Sequence, residues 1–256
     1  MQGFIAIYRK EIGHYFVSPI AYVVVGLFLM LCAFFFDSYI VSAMQYSIQM
    51  QLQGLPTFDV PSQVMSGFFG VVSLFVLFFL PMLTMGVYAE ERKRGTMELL
   101  MTSPITEVQI VLGKFLASLT LLAIMLLPTA SYVAYMNLHS EPVPPWRILF
   151  AGYAGVLLLG AALLSLGSFI SSLTENQLIS AVLTFAAFLM VWVIDIGRNA
   201  QGTAGSVLQY LSVIHHYDDF TRGIIDTSSL IYYGSFIFLF LFLTVRSVDS
   251  MRWRRA

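Results

Sequence analysis

The sequence predicts an all-α membrane protein with six transmembrane helices, an N-terminal interfacial helix, a short cytoplasmic helix after the second span and short outer-leaflet helices before the last span. Three observations predict it. Apolar residues make up 58% of the 256 and charged residues 11%, against roughly 25% charged in an average soluble domain. A soluble core of this length could not hide that much apolar side chain. Apolar runs close to the ~20 residues that cross a bilayer recur along the whole chain, and Lys and Arg gather on one side of the resulting pattern. The net charge of −1, with no basic block beyond three residues, argues against a nucleic-acid partner. The single cysteine, Cys32, excludes an intrachain disulfide and a cysteine metal cluster.

Residues 3–16 form the first element. Phe4, Ile5, Tyr8, Ile12 and Tyr15 share one face at helical spacing, with Gln2, Arg9 and Lys10 opposite. Such a helix lies in the headgroup region; the alternative is an ordinary basic start to the first span. The apolar run from Ile20 to Phe36 is too long for a cleavable signal peptide, and no small-residue cleavage site follows it.

Hydropathy places the spans near 18–41, 67–89, 114–136, 149–173, 177–196 and 228–246, within one domain over 1–256. An even number puts both termini on one side, and the thirteen Lys and Arg decide which. Arg9, Lys10, Arg92, Lys93, Arg94, Lys114, Arg246, Arg252, Arg254 and Arg255 fall in the terminal segments and even-numbered turns. Only Arg147, Arg198 and Arg222 fall in the other loops. The bias puts both termini in the cytoplasm. The outer side is acidic, with Asp37, Asp59, Glu141, Asp195, Asp218, Asp219 and Asp226. Tyr232, Tyr233 and Trp253 suit the two aromatic belts, and Pro81 and Pro128 are expected to kink the second and third spans.

The middles of the spans carry no Asp, Glu, Lys, Arg or His, which argues against a proton-coupled transporter, an ion pump or a voltage sensor. No catalytic motif takes their place. His215, His216, Asp218 and Asp219 are the best metal candidates by spacing, set against the simpler reading of polar residues at a water interface. Gly113-Lys114 is not a phosphate-binding loop: Val108 stands where its first glycine would be, and Phe115 where Ser or Thr is required. In the fourth span Ala161, Ser165, Ser168 and Ser172 make a small, weakly polar stripe that serves helix packing or lines a path. Between Gly197 and Thr227 the chain is too polar for a span, yet Val207, Leu208, Leu211, Val213 and Ile214 are too apolar for a free loop. Short helices on or re-entering the outer leaflet are expected there, with His216, Asp219 and Arg222 as candidate outer gate.

The segment from Ala89 to Lys114 joins the second and third spans. Gly95 interrupts a charged helix end, Thr96 can cap a short helix, and Ser103-Pro104 stops it. Thr106 and Gln109 have capping-box spacing for the helix entering the third span. Met97, Leu99, Leu100 and Met101 form an apolar surface that either docks a partner or lies on lipid.

Glu91-Arg-x-x-Gly-Thr-x-Glu-Leu-Leu, Ser103-Pro and Leu112-Gly-Lys resemble the signature of ATP-binding-cassette type 2 permeases. Ser18-Pro-Ile-Ala-Tyr, Phe169-Ile-Ser-Ser-Leu-Thr-Glu-Asn-Gln and His216-Tyr-Asp-Asp-Phe-x-Arg-Gly-Ile-Ile-Asp are similar to its gliding-motility-type (GldF-like) branch. The resemblance implies a multi-pass permease of the bacterial cytoplasmic membrane, acting as exporter or mechanotransmitter. It implies a second transmembrane subunit, one with a large extracytoplasmic domain in some assemblies, and a cytoplasmic ATPase dimer that carries ATP and Mg. The chain itself is then expected to be neither an enzyme nor a holder of cofactor or metal. It also implies that the short helix is the coupling helix, with Glu91, Arg94, Gly95, Thr96, Glu98, Leu99 and Leu100 as its working residues. Two rivals stand beside this reading: a scaffold that anchors an ATPase without transport, and a membrane enzyme acting on lipid head groups through His215 and His216.

Overall fold

The structure, a computed structural model, describes residues 2–54, 59–102, 105–140, 143–197 and 203–253. Ser103-Pro104, Glu141, Arg198, Arg254 and Arg255 fall outside the described residues, as do the side chains of Gln2, Ile20, Leu99, Met101, Arg252 and Trp253. Among the described residues there is no strand.

The chain opens with α1 (Gln2–Val17), followed after Ser18 by α2 (Pro19–Leu52) and then α3 (Val60–Thr84). Two short helices come next, α4 (Ala89–Lys93) and α5 (Thr96–Thr102). The third span is α6 (Glu107–Leu126), a 3-10 turn at Leu127–Thr129, and α7 (Ala130–His139). Then follow α8 (Trp146–Leu173), α9 (Gln177–Gly197), α10 (Thr203–Leu211), α11 (Val213–Thr221) and α12 (Thr227–Trp253). Six helical stretches are long and apolar enough to cross a membrane: α2, α3, α6 with α7, α8, α9 and α12.

Several bounds differ from the hydropathy spans, because hydropathy marks hydrocarbon depth while the hydrogen-bond ladder runs on into water. The first helix of the bundle continues past residue 41 to Leu52. The second starts at Val60, where the Asp59 carboxylate accepts the Ser62 N–H. It ends at Thr84 rather than 89, and the chain turns over residues 85–88 before resuming as α4. The capping box at Thr106 and Gln109 is present and starts α6. Pro128 breaks the third span through the 3-10 turn, where Thr129 Oγ1 donates to the Leu126 carbonyl at 2.6 Å.

Burial sorts the six helices into two classes. The helices α3, α6 and α8 form the core, while α2, α9 and α12 keep most of their surface exposed. Small residues of α8 let it serve as the central post. Gly152 lies against Phe69, Gly160 against Leu122, Gly167 against Thr84 and Gly155 against Phe220, the close approach that drives helix association in lipid. An aromatic cluster ties α2 and α7 to this core: Phe36 stacks on Tyr132 at 5.1 Å between ring centroids, and both meet Phe68 edge-on.

Side-chain contacts identify the two ends of the bundle. At one end Lys10 reaches Glu91, Arg92 reaches Glu175 in the α8–α9 turn, and Ser247 of α12 donates to the Ser172 carbonyl. At the other end Ser66 of α3 donates to the Thr221 carbonyl of α11, and the Tyr217 hydroxyl donates to the Phe69 carbonyl. The first end holds most of the described Lys and Arg residues, while Arg147 and Arg222 lie at the other end.

Candidate functional site

The segment from Met85 to Thr102 forms a compact structure under the basic end, and local chemistry explains its shape. The α4 helix ends at Lys93 with Arg94 as its C-cap, and Gly95 takes φ +70° to reverse the chain into α5. That left-handed conformation is routine for glycine and penalised for other residues. The Thr96 hydroxyl donates back to the Glu91 carbonyl at 3.4 Å, closing the end of α4. Thr96 thus serves the preceding helix through its side chain, beyond its expected place at the start of α5.

Two faces result. Met97 is buried among Ile7, Val87, Tyr88, Ile110 and Val248, with Leu100 packed against the same cluster. Both side chains therefore turn inward, one helical turn apart, whereas the sequence reading set them on an open apolar surface. Among the described side chains the outward edge is polar: Lys93, Arg94, Gly95, Thr96 and Glu98 are exposed. Arg94 pairs with Glu90 at 2.5 Å across one turn of α4. A groove of about 360 Å³ runs beside this edge, lined by Arg92, Gly95, Glu98, Glu175, Ser247 and Ser250.

Glu91 does not lie on the outward edge. Its carboxylate accepts from Lys10 Nζ at 2.7 Å through Oε1, and Oε2 stands 3.0 Å from Lys114 Nζ. Lys114, counted by sequence among the end-loop charges, is fully buried in α6. It donates to Glu11 Oε1 at 2.8 Å and to the Val87 carbonyl at 2.8 Å, with its ammonium 5.4 Å from the centre of the Tyr88 ring. Two lysines and two glutamates from three elements therefore meet at one point, with no net charge. Burial works against the charged form of Lys10, but its bonds to Glu91 and Glu11 and their charges outweigh this and raise its pKa above the ordinary lysine value.

The partner side of this cluster is α1, which runs in the same direction as the start of α6. Gly3 lies beside Ile105 and Gln109, Ile7 beside Gly113, Glu11 on Lys114, and the Tyr15 hydroxyl 2.9 Å from the Ser118 hydroxyl. The buried face of α1 includes Ile7 and Glu11, while Ile5 is exposed. The apolar periodicity missed both residues because Glu11 interrupts the stripe and Ile7 falls one position off it. Burial pushes the Tyr15 hydroxyl up to about 12, against the opposing Ser118 bond.

On the other flank the segment is tied to α8. Ser171 Oγ accepts from the Tyr88 and Ala89 amides at 3.1 and 3.3 Å and donates to the Met85 carbonyl at 3.2 Å. Arg92 donates to the Ser172 carbonyl at 2.7 Å and to Glu175 at 2.9 Å. Ser165 and Ser172 are buried and bond carbonyls of their own helix, and the buried Ser168 hydroxyl has no hydrogen-bond partner among the described residues. The hydroxyl that bonds between segments is Ser171, one position off the stripe read from sequence.

At the opposite end α11 is inserted beside α3, α8 and α9. Ser212 caps it by accepting the His215 amide, and its hydroxyl donates to Asp195 at 2.6 Å. His216 is buried, bonded through Nδ1 to the Ser212 carbonyl and stacked on Tyr232 at 4.0 Å. Asp219 lines a cavity of about 270 Å³ with His215, His216 and Asp226, whereas Arg222 is exposed at the end of the helix. Among the described residues no three His, Cys, Asp or Glu stand close enough to hold a metal ion. A second cavity of about 350 Å³ lies inward of α11, between Leu77, Leu163 and Trp192, with Ser73, Tyr217 and Asp218 among its polar lining.

Comparison with known proteins adds one finding to this geometry. The family described as ABC-2 family transporter protein matches residues 5–248, nearly the whole chain. No curated protein matches.

Proposed function

The chain belongs to the ABC-2 transporter family, and from that membership we propose that its Met85–Thr102 segment receives the movement of a cytoplasmic ATPase and passes it to the spans. As a family member the chain is a multi-pass membrane permease subunit of an ABC transporter, which assembles with ATPase subunits. The observation that carries the finer reading is the two-faced segment. A polar edge of Lys93, Arg94, Gly95, Thr96 and Glu98 faces outward, while Met97 and Leu100 anchor it from inside. A rigidly anchored polar edge suits contact with another protein, where charges govern orientation and association rate. A helix resting on lipid would instead turn its apolar side chains away from the bundle.

In this reading the basic end is cytoplasmic, ATP and Mg sit on the partner, and the exposed faces of α2, α9 and α12 meet lipid or a second transmembrane subunit. The mode of action is export or transmission of force across a bacterial cytoplasmic membrane. The gliding-motility-type branch is supported by the junction motifs alone. Ser18 precedes α2, Asn176 accepts the Leu178 amide at 2.9 Å at the start of α9, and His216 to Asp226 runs from within α11 through its exit.

The test is recovery of the ATPase with tagged chain after Arg94→Glu combined with Glu98→Arg. We expect the variant to insert normally and to recover several-fold less ATPase. Unchanged recovery by a well-inserted variant would reject the segment as the ATPase contact.

A further inference from the structure

The Met85–Thr102 segment is continuous with α3, yet its strongest attachments lie elsewhere. Pro81 removes an N–H from the last turns of α3, so the Leu77 carbonyl has no partner four residues on, and the helix gives way to a turn after Thr84. The ties to α8 and the turn after it are neutral hydroxyl bonds at Ser171 and the bonds of one side chain, Arg92, to the Ser172 carbonyl and to a Glu175 carboxylate that is 63% exposed. The ties to α1 and α6 are of another kind. Lys114, with 1% of its side chain exposed, holds Glu11 of α1 and lies against Glu91 and the Val87 carbonyl of the segment.

Pulling apart a buried, compensated set of charges leaves each ion without partner or water, whereas a neutral hydroxyl bond exchanges partners at far smaller penalty. We infer that Lys114 is the positioning residue that joins α1, the Met85–Thr102 segment and α6 into one mechanical unit. Displacement of the segment is then delivered to α6 and α1, while the contacts with α8 open and α3 bends at Leu77–Pro81. This rests on the coupling reading above and adds the identity of the driven span.

The experiment uses the complex isolated with its ATPase, placed in nanodiscs, with Cys32 replaced by serine and spin labels at exposed positions. One pair joins Lys93 to Leu116 of α6 and the other joins Lys93 to Leu173 of α8. Distances are compared without nucleotide and after trapping with ATP and vanadate. The 93–116 distance should hold within the width of its distribution, and the 93–173 distance should shift by several ångströms. Lys114→Met should broaden the 93–116 distribution. Where that variant fails to fold, the neutral set Lys114→Met, Glu11→Gln and Glu91→Gln takes its place and should show the same broadening. A nucleotide-dependent 93–116 shift as large as that of 93–173, or a 93–116 distribution unaltered in the neutral set, overturns the inference and leaves the coupling reading intact. Distances unmoved in both pairs, in a complex that hydrolyses ATP, overturn both.

Discussion

Lys114 shows how far a single residue can depart from its apparent role. By sequence it is one more positive charge at the cytoplasmic end; in the structure it is buried with Glu11, Glu91 and the Val87 carbonyl. Removing one member of such a cluster strands the others, at a typical cost of about 3–5 kcal/mol. We expect Lys114→Met to lower the thermal midpoint sharply in detergent, because Lys10, whose side chain is 57% exposed, is then the only cation among the described residues beside the two carboxylates. Neutralising Glu11 and Glu91 as well should recover most of that loss. The cluster was not legible because charge counting carries no depth and because Glu11 looks like a flaw in an amphipathic face. Gly95 and the Thr106–Gln109 capping box were legible, since their chemistry depends only on near neighbours in the chain.

The serines of α8 make the same point for a whole helix. The stripe of small residues left packing and path lining open for α8; its close contacts with α3, α6 and α11 are made at Gly152, Gly155, Gly160 and Gly167, outside that stripe. Spacing could not say which hydroxyl would face a partner. Ser171→Ala takes the acceptor from two buried amides, so it should destabilise by about 1–3 kcal/mol and speed hydrogen exchange at Tyr88 and Ala89. Ser168→Ala removes a hydroxyl with no partner among the described residues, so its stability should stay within about 0.5 kcal/mol of the parent or rise slightly. A transport defect in a stable Ser168→Ala protein would mark a path-lining role for the stripe. At α11, Gly155→Leu drives a side chain into Phe220, where even a Cβ would stand 2.5 Å from the Phe220 Cβ. It should loosen α11 and raise the proteolytic sensitivity of residues 203–226.

Across the whole molecule, the number of spans was readable and their arrangement was not. All six stretches are apolar enough to cross a bilayer, yet three are core and three are periphery. Lipid and protein interior are similarly apolar, so hydropathy alone cannot tell a helix that faces one from a helix that faces the other. The end-to-end sorting of charge is a different matter, because it depends on loops. It leads to a labelling prediction in a Cys32→Ser background. Cysteines at Lys93 and Ser250 should resist an impermeant thiol reagent in intact cells and react after permeabilisation, while a cysteine at Ser140 should react from outside. Labelling of Lys93 in intact cells would invert the topology.

The Glu11–Lys114 bond spans 103 positions of sequence, and this separation has a bearing on biogenesis. During synthesis α1 emerges before α2, α3 and α6, so it is already at the membrane while two spans are made. Lys114 then arrives at the head of the third, where a lysine placed at membrane depth opposes insertion by up to roughly 2.5–3.5 kcal/mol. A carboxylate already stationed there should offset that penalty, and we expect α1 to assist insertion of a helix made much later. A chain lacking residues 2–17 should therefore accumulate with its third span uninserted in a share of molecules, visible by protease mapping, and Lys114→Leu in the shortened chain should restore insertion.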